Sequence, residues 1–271
     1  MTQPHLTRQL QELEEELGVP LFVREHQRLH ITEEGRYLKQ QARQIFALLD
    51  RTEEQVRMMH EGLEGKLSIG AIETLSPLFV PGWIRSFRER HPGVTYEIWT
   101  ANSQDVLERL DEGLLDVALV RGTGWNPGRY GAIELMQEGW CAVSAADMTW
   151  QGISCGTISL AELSGRDLIV PIQRTEQIRK LFSEQDLEAH IMCEFSPLAN
   201  GIVLVEEGLG TAILPVSATA AFAGHRVEAK KLEGSELSHG CLVWRSDRIP
   251  SKVAQAFIDM VCDIQEQGSA E

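Results

Sequence analysis

Two sets of side chains in this sequence have the types and spacing to do chemistry. The first opens the chain. Gln3, His5, Thr7, Arg8 and Gln9 crowd hydrogen-bonding groups into two turns, and Arg24 and Arg28 follow in a basic stretch. Arginine pairs bidentately with guanine and glutamine with adenine, so a helix with this face could read base edges. An amphipathic helix with a solvated side would look the same, and spacing alone leaves both readings open. The second set is Thr74, Ser103, Arg121, Gln173, Arg174 and Ser196, each at an expected junction between a strand and the segment after it. Hydroxyls beside helix N-termini, where backbone N–H groups are free, favour a carboxylate or another anion, and Arg121 or Arg174 would add a cation. Taken by themselves, Thr74 and Ser103 read more simply as N-caps. Glu73 complicates the anion reading. Unless it points away or pairs with an arginine it repels a simple anion, which favours a zwitterion or an amine-bearing ligand.

Catalytic patterns are absent by comparison. The sequence holds no Gly-x-Ser-x-Gly, P-loop or Gly-x-Gly-x-x-Gly motif, and Gly208-Leu209-Gly210 is too short for a nucleotide loop. Cys141, Cys155, Cys193, Cys241 and Cys262 are odd in number, widely spread and without a Cys-x-x-Cys pair. They read as reduced thiols acting as small hydrophobes, with a redox pair as the lesser reading. The histidines show no metal-ligand spacing, so neither a metal nor a cofactor is expected.

The elements that must position these groups follow from periodicity. Leu6, Leu10, Leu13 and Leu17 make one apolar stripe along residues 4–17, with Pro4 in the first turn and Gly18 as the stop. Residues 19–32 read as a short hairpin or wing around the basic centre. Residues 33–62 form a longer helix whose Leu38, Ala42, Ile45, Leu49, Val56, Met59 and Leu63 alternate by four and three, with Thr52 in the remaining slot. That is a heptad seam, which predicts pairing with a second helix over packing on its own domain. After Gly62 and Gly65 the pattern becomes βαβαβ: strands at 67–72, 94–100 and 116–122, with helices at 76–91 and 103–113. Parallel pairing with right-handed crossovers is expected. A second such unit starts near Trp140, and the chain returns through 241–246 to a closing helix at 251–265. Two similar lobes around a cleft make the cleft the expected ligand site.

Composition bounds the rest. The 271 residues carry Lys+Arg 25 against Asp+Glu 40, net −15. Residues 1–62 hold 8 basic and 11 acidic groups, so any nucleic-acid contact must come from local placement, not net charge. No apolar run long enough to span a membrane occurs, and the start lacks the apolar stretch of a signal peptide, so a cytoplasmic location is expected.

Residues 2–35 resemble the LysR-type transcriptional regulators. The match runs through Gln3, Pro4, Leu6, Thr7, Arg8 and Gln9, then Leu13, Glu14, Leu17, Gly18, Leu21, Phe22 and Arg24, then Thr32 and Gly35. Residues 67–81, 112–120 and 204–215 resemble the family's later signatures, so the resemblance covers essentially the whole chain. It implies an α/β fold: a winged helix-turn-helix, truncated here, and a long linker helix, then a two-lobed, periplasmic-binding-protein-like (type 2) effector domain. The corresponding segments are 1–32, 33–64, lobe I at 65–138 and 242–271, and lobe II at 139–241. It implies Gln3, His5, Thr7, Arg8 and Gln9 on the recognition helix, Arg24 and Arg28 on the wing, and Thr74 and Ser103 at pocket positions. The implied partners are promoter DNA, a carboxylate or zwitterionic effector, and copies of the chain in a dimer or tetramer, with no membrane. The implied activity is regulation, not catalysis. The family places two helices before the recognition helix, at which this chain starts. Either a misassigned start or a real truncation is expected, with weak or no DNA binding by the chain as given. The alternatives are a free-standing effector-binding protein and, third, a cytosolic enzyme on the same fold.

Overall fold

The computed structural model describes residues 3–25, 28–57, 63–146, 156–222 and 224–268. Helix α1 (Gln3–Leu17) leads into an antiparallel hairpin of β1 (Phe22–Glu25) and β2 (Arg28–Ile31), in which Val23 pairs with His30. The connections from α1 into the hairpin and from the hairpin into the next helix explain several motif residues. Gly18 adopts φ +71°, a backbone that side-chain-bearing residues rarely tolerate. The Glu14 carboxylate accepts hydrogen bonds from the backbone N–H groups of Leu21 (2.6 Å) and Phe22 (3.0 Å), fixing the hairpin to α1. Thr32 caps α2 (Glu33–Arg57): its hydroxyl accepts from Gly35 N–H and donates to the Pro20 carbonyl, both at 2.9 Å. A Cβ at Gly35 would lie 2.3 Å from the Leu21 carbonyl oxygen, so only glycine allows this approach.

Along α2, Leu38 and Ala42 are half-buried while Tyr37, Ile45, Phe46 and Leu49 are exposed. At Ile45 and Leu49 the apolar seam thus faces solvent in the single chain. The side chains of Thr52 and Val56, and all of Met59, lie outside the described residues. Arg43 approaches Glu112 of the following lobe at 3.8 Å.

Lobe I is a five-stranded sheet in the order β4–β3–β5–β13–β6: Val94–Thr100, Gly65–Ala71, Val117–Arg121, Ser238–Arg245 and Tyr130–Glu138. The β3, β4 and β5 strands pair in parallel, as the βαβαβ pattern predicts, through α3 (Ser76–Arg90) and α4 (Ser103–Asp111). β13 runs antiparallel between β5 and β6, a pairing that local pattern does not reveal. The closing helix α8 (Lys252–Gly268) covers this sheet, with Phe257 edge-on to Phe87 (5.4 Å between ring centroids) and Trp83 (6.0 Å). Burying such a ring contributes about 1.5–3 kcal/mol.

Lobe II repeats the plan in six strands, β10–β9–β11–β7–β12–β8: Ile191–Phe195, Leu168–Pro171, Thr211–Pro215, Trp140–Ala145, Val227–Leu232 and Thr157–Ile158. Helices α5 (Leu160–Leu163) and α6 (Thr175–Ser183) bury one face, and α7 (Leu198–Glu206) the other. Two crossings join the lobes, at Gly139 and at residues 233–237. The Ser235 hydroxyl accepts from Trp140 N–H (3.1 Å), and a Cβ on Gly139 would meet that hydroxyl oxygen at 2.7 Å. The expected boundary between 241 and 242 falls inside β13. Residues 238–241 belong to the lobe I ladder because Gly240 pairs with Arg121 and Ser238 with Glu138.

No helix among the described residues is long and apolar enough to cross a membrane. Cys141, Cys193, Cys241 and Cys262 are free thiols, and Cys155 lies outside the described residues.

Candidate functional site

The N-terminal set sits on two adjoining elements. Gln3, His5, Thr7, Arg8 and Gln9 belong to α1, and Arg24 and Arg28 to the hairpin. Arg8 and Gln9 are exposed, and Arg8 pairs with Glu12 one turn on at 2.9 Å, a solvated i,i+4 contact. The side chains of Gln3, His5, Thr7, Arg24 and Arg28 lie outside the described residues. Leu10 is half-buried, while Leu13 and Leu17 are exposed, so the apolar stripe of α1 is only partly covered.

The second set converges. A cavity of about 580 Å³ opens between the lobes, and Thr74, Ser103, Arg121, Gln173, Arg174 and Ser196 all line it. They meet because both sheets end there: Thr74 follows β3, Arg121 ends β5, Gln173 and Arg174 follow β9, and Ser196 follows β10. The N-termini of α3, α4, α6 and α7 begin at or beside these residues, so backbone N–H groups and partial positive charge gather around the cavity.

Arg121 does not serve as the free cation expected from the sequence. Its guanidinium forms an ion pair with Glu138, and both side chains are nearly inaccessible, at 5% and 4% exposure. It also donates to the hydroxyls of Ser238 (2.9 Å), Thr74 (3.0 Å) and Ser217 (2.6 Å). The Glu138 carboxylate in turn accepts from the backbone N–H of Ser217. Burial pushes the Arg121 pKa down, and the charge and hydrogen bond of Glu138 oppose that shift. The pair joins β5 and β6 of lobe I to the turn after β11 of lobe II, beside the crossings. Its charge is already balanced, and its contacts tie the two lobes together beside the crossings.

The cation that remains is Arg174. Its guanidinium lies 5.8 Å from the Trp140 ring centroid and donates to Gln177 at 2.8 Å, with no carboxylate partner among the described residues. Burial lowers its pKa first, and the positive charge of Arg121 lowers it further. The opposite charge of an anion between the lobes would counteract both.

The helix caps also differ from expectation. Thr74 does not cap α3: the helix begins at Ser76, and Leu75 before it gives no side-chain cap. Asn102, not Ser103, caps α4: its side-chain oxygen accepts from Asp105 N–H (3.0 Å) and its amide donates to the Asp105 carboxylate (2.8 Å). Asparagine and serine cap helices about equally well, and Asn102 holds the place here through its second hydrogen bond to the Asp105 carboxylate. Ser103 is thereby released toward the cavity, and its hydroxyl accepts only a long bond from Arg121 N–H at 3.4 Å. Glu73 does not face the ligand space as an unpaired charge, because it accepts from Leu198 N–H of lobe II at 2.9 Å. Glu138, Ser217 and Ser238 carry no local signal, since only the strand pairing brings them to Arg121. Among the described residues, no group of three or more His, Cys, Asp or Glu side chains is placed to hold a metal ion.

A helix and hairpin, a long helix and two α/β lobes flanking a cavity place the chain in the class of proteins with a two-lobed, periplasmic-binding-protein-like domain behind a small N-terminal module. The sequence matches the LysR substrate binding domain over residues 60–263 and the bacterial regulatory helix-turn-helix protein of the lysR family over residues 1–36. The chain therefore belongs to the LysR family of transcriptional regulators. It is 28% identical over 268 residues to the HTH-type transcriptional regulator BsdA of Bacillus subtilis (strain 168), covering 96% of this chain and 91% of that one. The fold matches the crystal structure of CbnR, a LysR family transcriptional regulator, with TM-score 0.74 and 24% identity over 98% of this chain and 90% of that chain. It also matches the effector-binding domain of QuiR solved with shikimate, with TM-score 0.65 and 18% identity over 76% of this chain and 99% of that chain.

Proposed function

We propose that this regulator is switched by a small carboxylate, or a zwitterion presenting one, held between the lobes by Arg174, Gln173 and Ser196 on one side and Thr74 and Ser103 on the other. The observation that carries this reading is Arg174, a half-buried guanidinium on the cavity wall without a carboxylate partner among the described residues. The other charged groups lining the cavity are already engaged. Arg121 pairs with Glu138, Asp105 with the Asn102 cap, and Glu73 with α7. The shikimate in the QuiR structure, a carboxylate, agrees in chemistry.

Regulation then needs no bond making. A ligand that touches both lobes favours one hinge arrangement over another, and α2, in contact with lobe I through Arg43 and Glu112, carries the difference toward the DNA module. Promoter DNA is read by the polar face of α1, with Gln3, His5, Thr7, Arg8 and Gln9 toward the major groove and Arg24 and Arg28 on phosphates. Two chains pair through the exposed seam of α2, and pairs of dimers make a tetramer. The protein works in the cytoplasm as a regulator, not a catalyst.

A thermal-shift screen of carboxylates against their neutral amides tests the ligand class. A carboxylate at a hundredfold excess over its Kd adds about 2.7 kcal/mol of stability. The Arg174→Gln variant should lose most of that gain, since charge-assisted hydrogen bonds contribute about 1.5–3 kcal/mol. Equal stabilisation by carboxylates and amides, or an unchanged response in Arg174→Gln, would refute it.

A further inference from the structure

We infer that Glu73 is an interlobe latch: its carboxylate, carried by lobe I, caps the N-terminus of α7 in lobe II and makes the cavity selective for a single ligand carboxylate. The selectivity rests on the carboxylate reading above, whereas the latch stands on geometry alone. Helix α7 has no cap of its own, because Pro197 precedes it with extended backbone and no side-chain hydrogen bond. α4 and α5, by contrast, are capped locally by Asn102 and by a Ser159–Glu162 capping box. The first N–H groups of a helix have no intrahelical acceptor, so the start of α7 needs a partner from elsewhere. That partner is Glu73, 125 positions earlier, whose Oε2 lies 2.9 Å from Leu198 N.

Glu73, Pro197 and Leu198 all line the cavity. The protein therefore places its own anion where a ligand's second carboxylate would otherwise find a helix N-terminus. One ligand carboxylate meets Arg174; a second would meet the negative charge of Glu73. Repulsion of this kind discriminates between ligands that share every attractive contact.

Hydrogen exchange read at single-amide level on the full chain tests the latch. In Glu73→Ala the Leu198 amide should exchange about tenfold faster, the loss expected of a charge-assisted hydrogen bond, while amides in the middle of α7 are unchanged. An unchanged Leu198 rate overturns the latch. Glu73→Gln keeps an acceptor and the fold but removes the charge. Calorimetric titration with butyrate against glutarate, and benzoate against terephthalate, should show the dicarboxylate gaining about fivefold on its partner in this variant. Unchanged ratios overturn the selectivity. Silence of all four probes toward wild type and variant refutes the carboxylate reading and the selectivity with it, leaving Leu198 exchange to decide the latch.

Discussion

Replacing Glu138 by alanine should cost the effector domain more stability than any surface change. The substitution leaves the Arg121 guanidinium at 5% exposure without its counter-charge. Removing one partner of a buried ion pair typically costs about 3–5 kcal/mol, because the survivor is neither solvated nor neutralised. The backbone N–H of Ser217 also loses its acceptor, in a turn of the opposite lobe. For a domain of this size about 2–4 °C of melting temperature accompany each kcal/mol, so a drop of about 6–20 °C is expected. Thermal unfolding followed by circular dichroism on the full chain measures it. Arg121→Met combined with Glu138→Leu should recover most of the loss, since an apolar pair of similar volume carries no buried charge. A Glu138→Ala protein melting within about 2 °C of wild type would refute the assignment of this pair to the hinge.

Three further outcomes follow from the same structure. Burial, then the charge of Glu138, push the Cys141 thiol up from the ordinary 9.0 to about 12, so it should resist alkylation at pH 8 in the native protein. The unfolded chain releases that proton first; its contribution to stability is therefore complete below pH 9.0 and fades as pH rises toward about 12, which pH-dependent urea melts of wild type and Cys141→Ala would show. Ile45→Glu with Leu49→Glu places charges on the exposed seam of α2 and should lower the mass of the proposed assembly in light scattering, whereas an unchanged mass would exclude α2 as a contact between copies. Thr32→Ala removes the α2 cap at a cost of about 1 kcal/mol, and should speed limited proteolysis of the hairpin segment about fivefold without altering effector-domain melting.

Much of this site was legible because its residues are local punctuation. Thr74, Arg121, Gln173, Arg174 and Ser196 follow or end strands that hydrophobic runs define, and in a doubly layered α/β lobe such ends gather at one rim. Thr32, Gly35, Glu14 and Gly18 were legible as motif residues, and the structure supplies their reasons in a cap, a backbone approach, a carboxylate clasp and a positive φ. Illegible features depend on long-range pairing. Nothing near Arg121 announces Glu138, because their meeting requires β13 to enter the sheet between β5 and β6. β6 alternates between half-buried and exposed positions only from Gly131 to Leu135, and a register shift opposite Gly240 and Cys241 then breaks the period, so the sequence does not announce it as a strand. The Glu73–Leu198 contact spans 125 positions and two lobes, so nothing local to Glu73 reveals that its carboxylate also caps a helix. Ser103 reads as a cap for a smaller reason: asparagine and serine cap about equally well, and the Asn102 side chain one position earlier takes the place through Asp105.

The most direct measurement is a crystal structure of the full chain grown with the carboxylate that stabilises it most. A carboxylate hydrogen-bonded to Arg174 of lobe II, with the same ligand contacting Thr74 or Ser103 of lobe I, is the predicted result. A ligand bound to one lobe alone, or outside the cavity, would contradict the proposed switch.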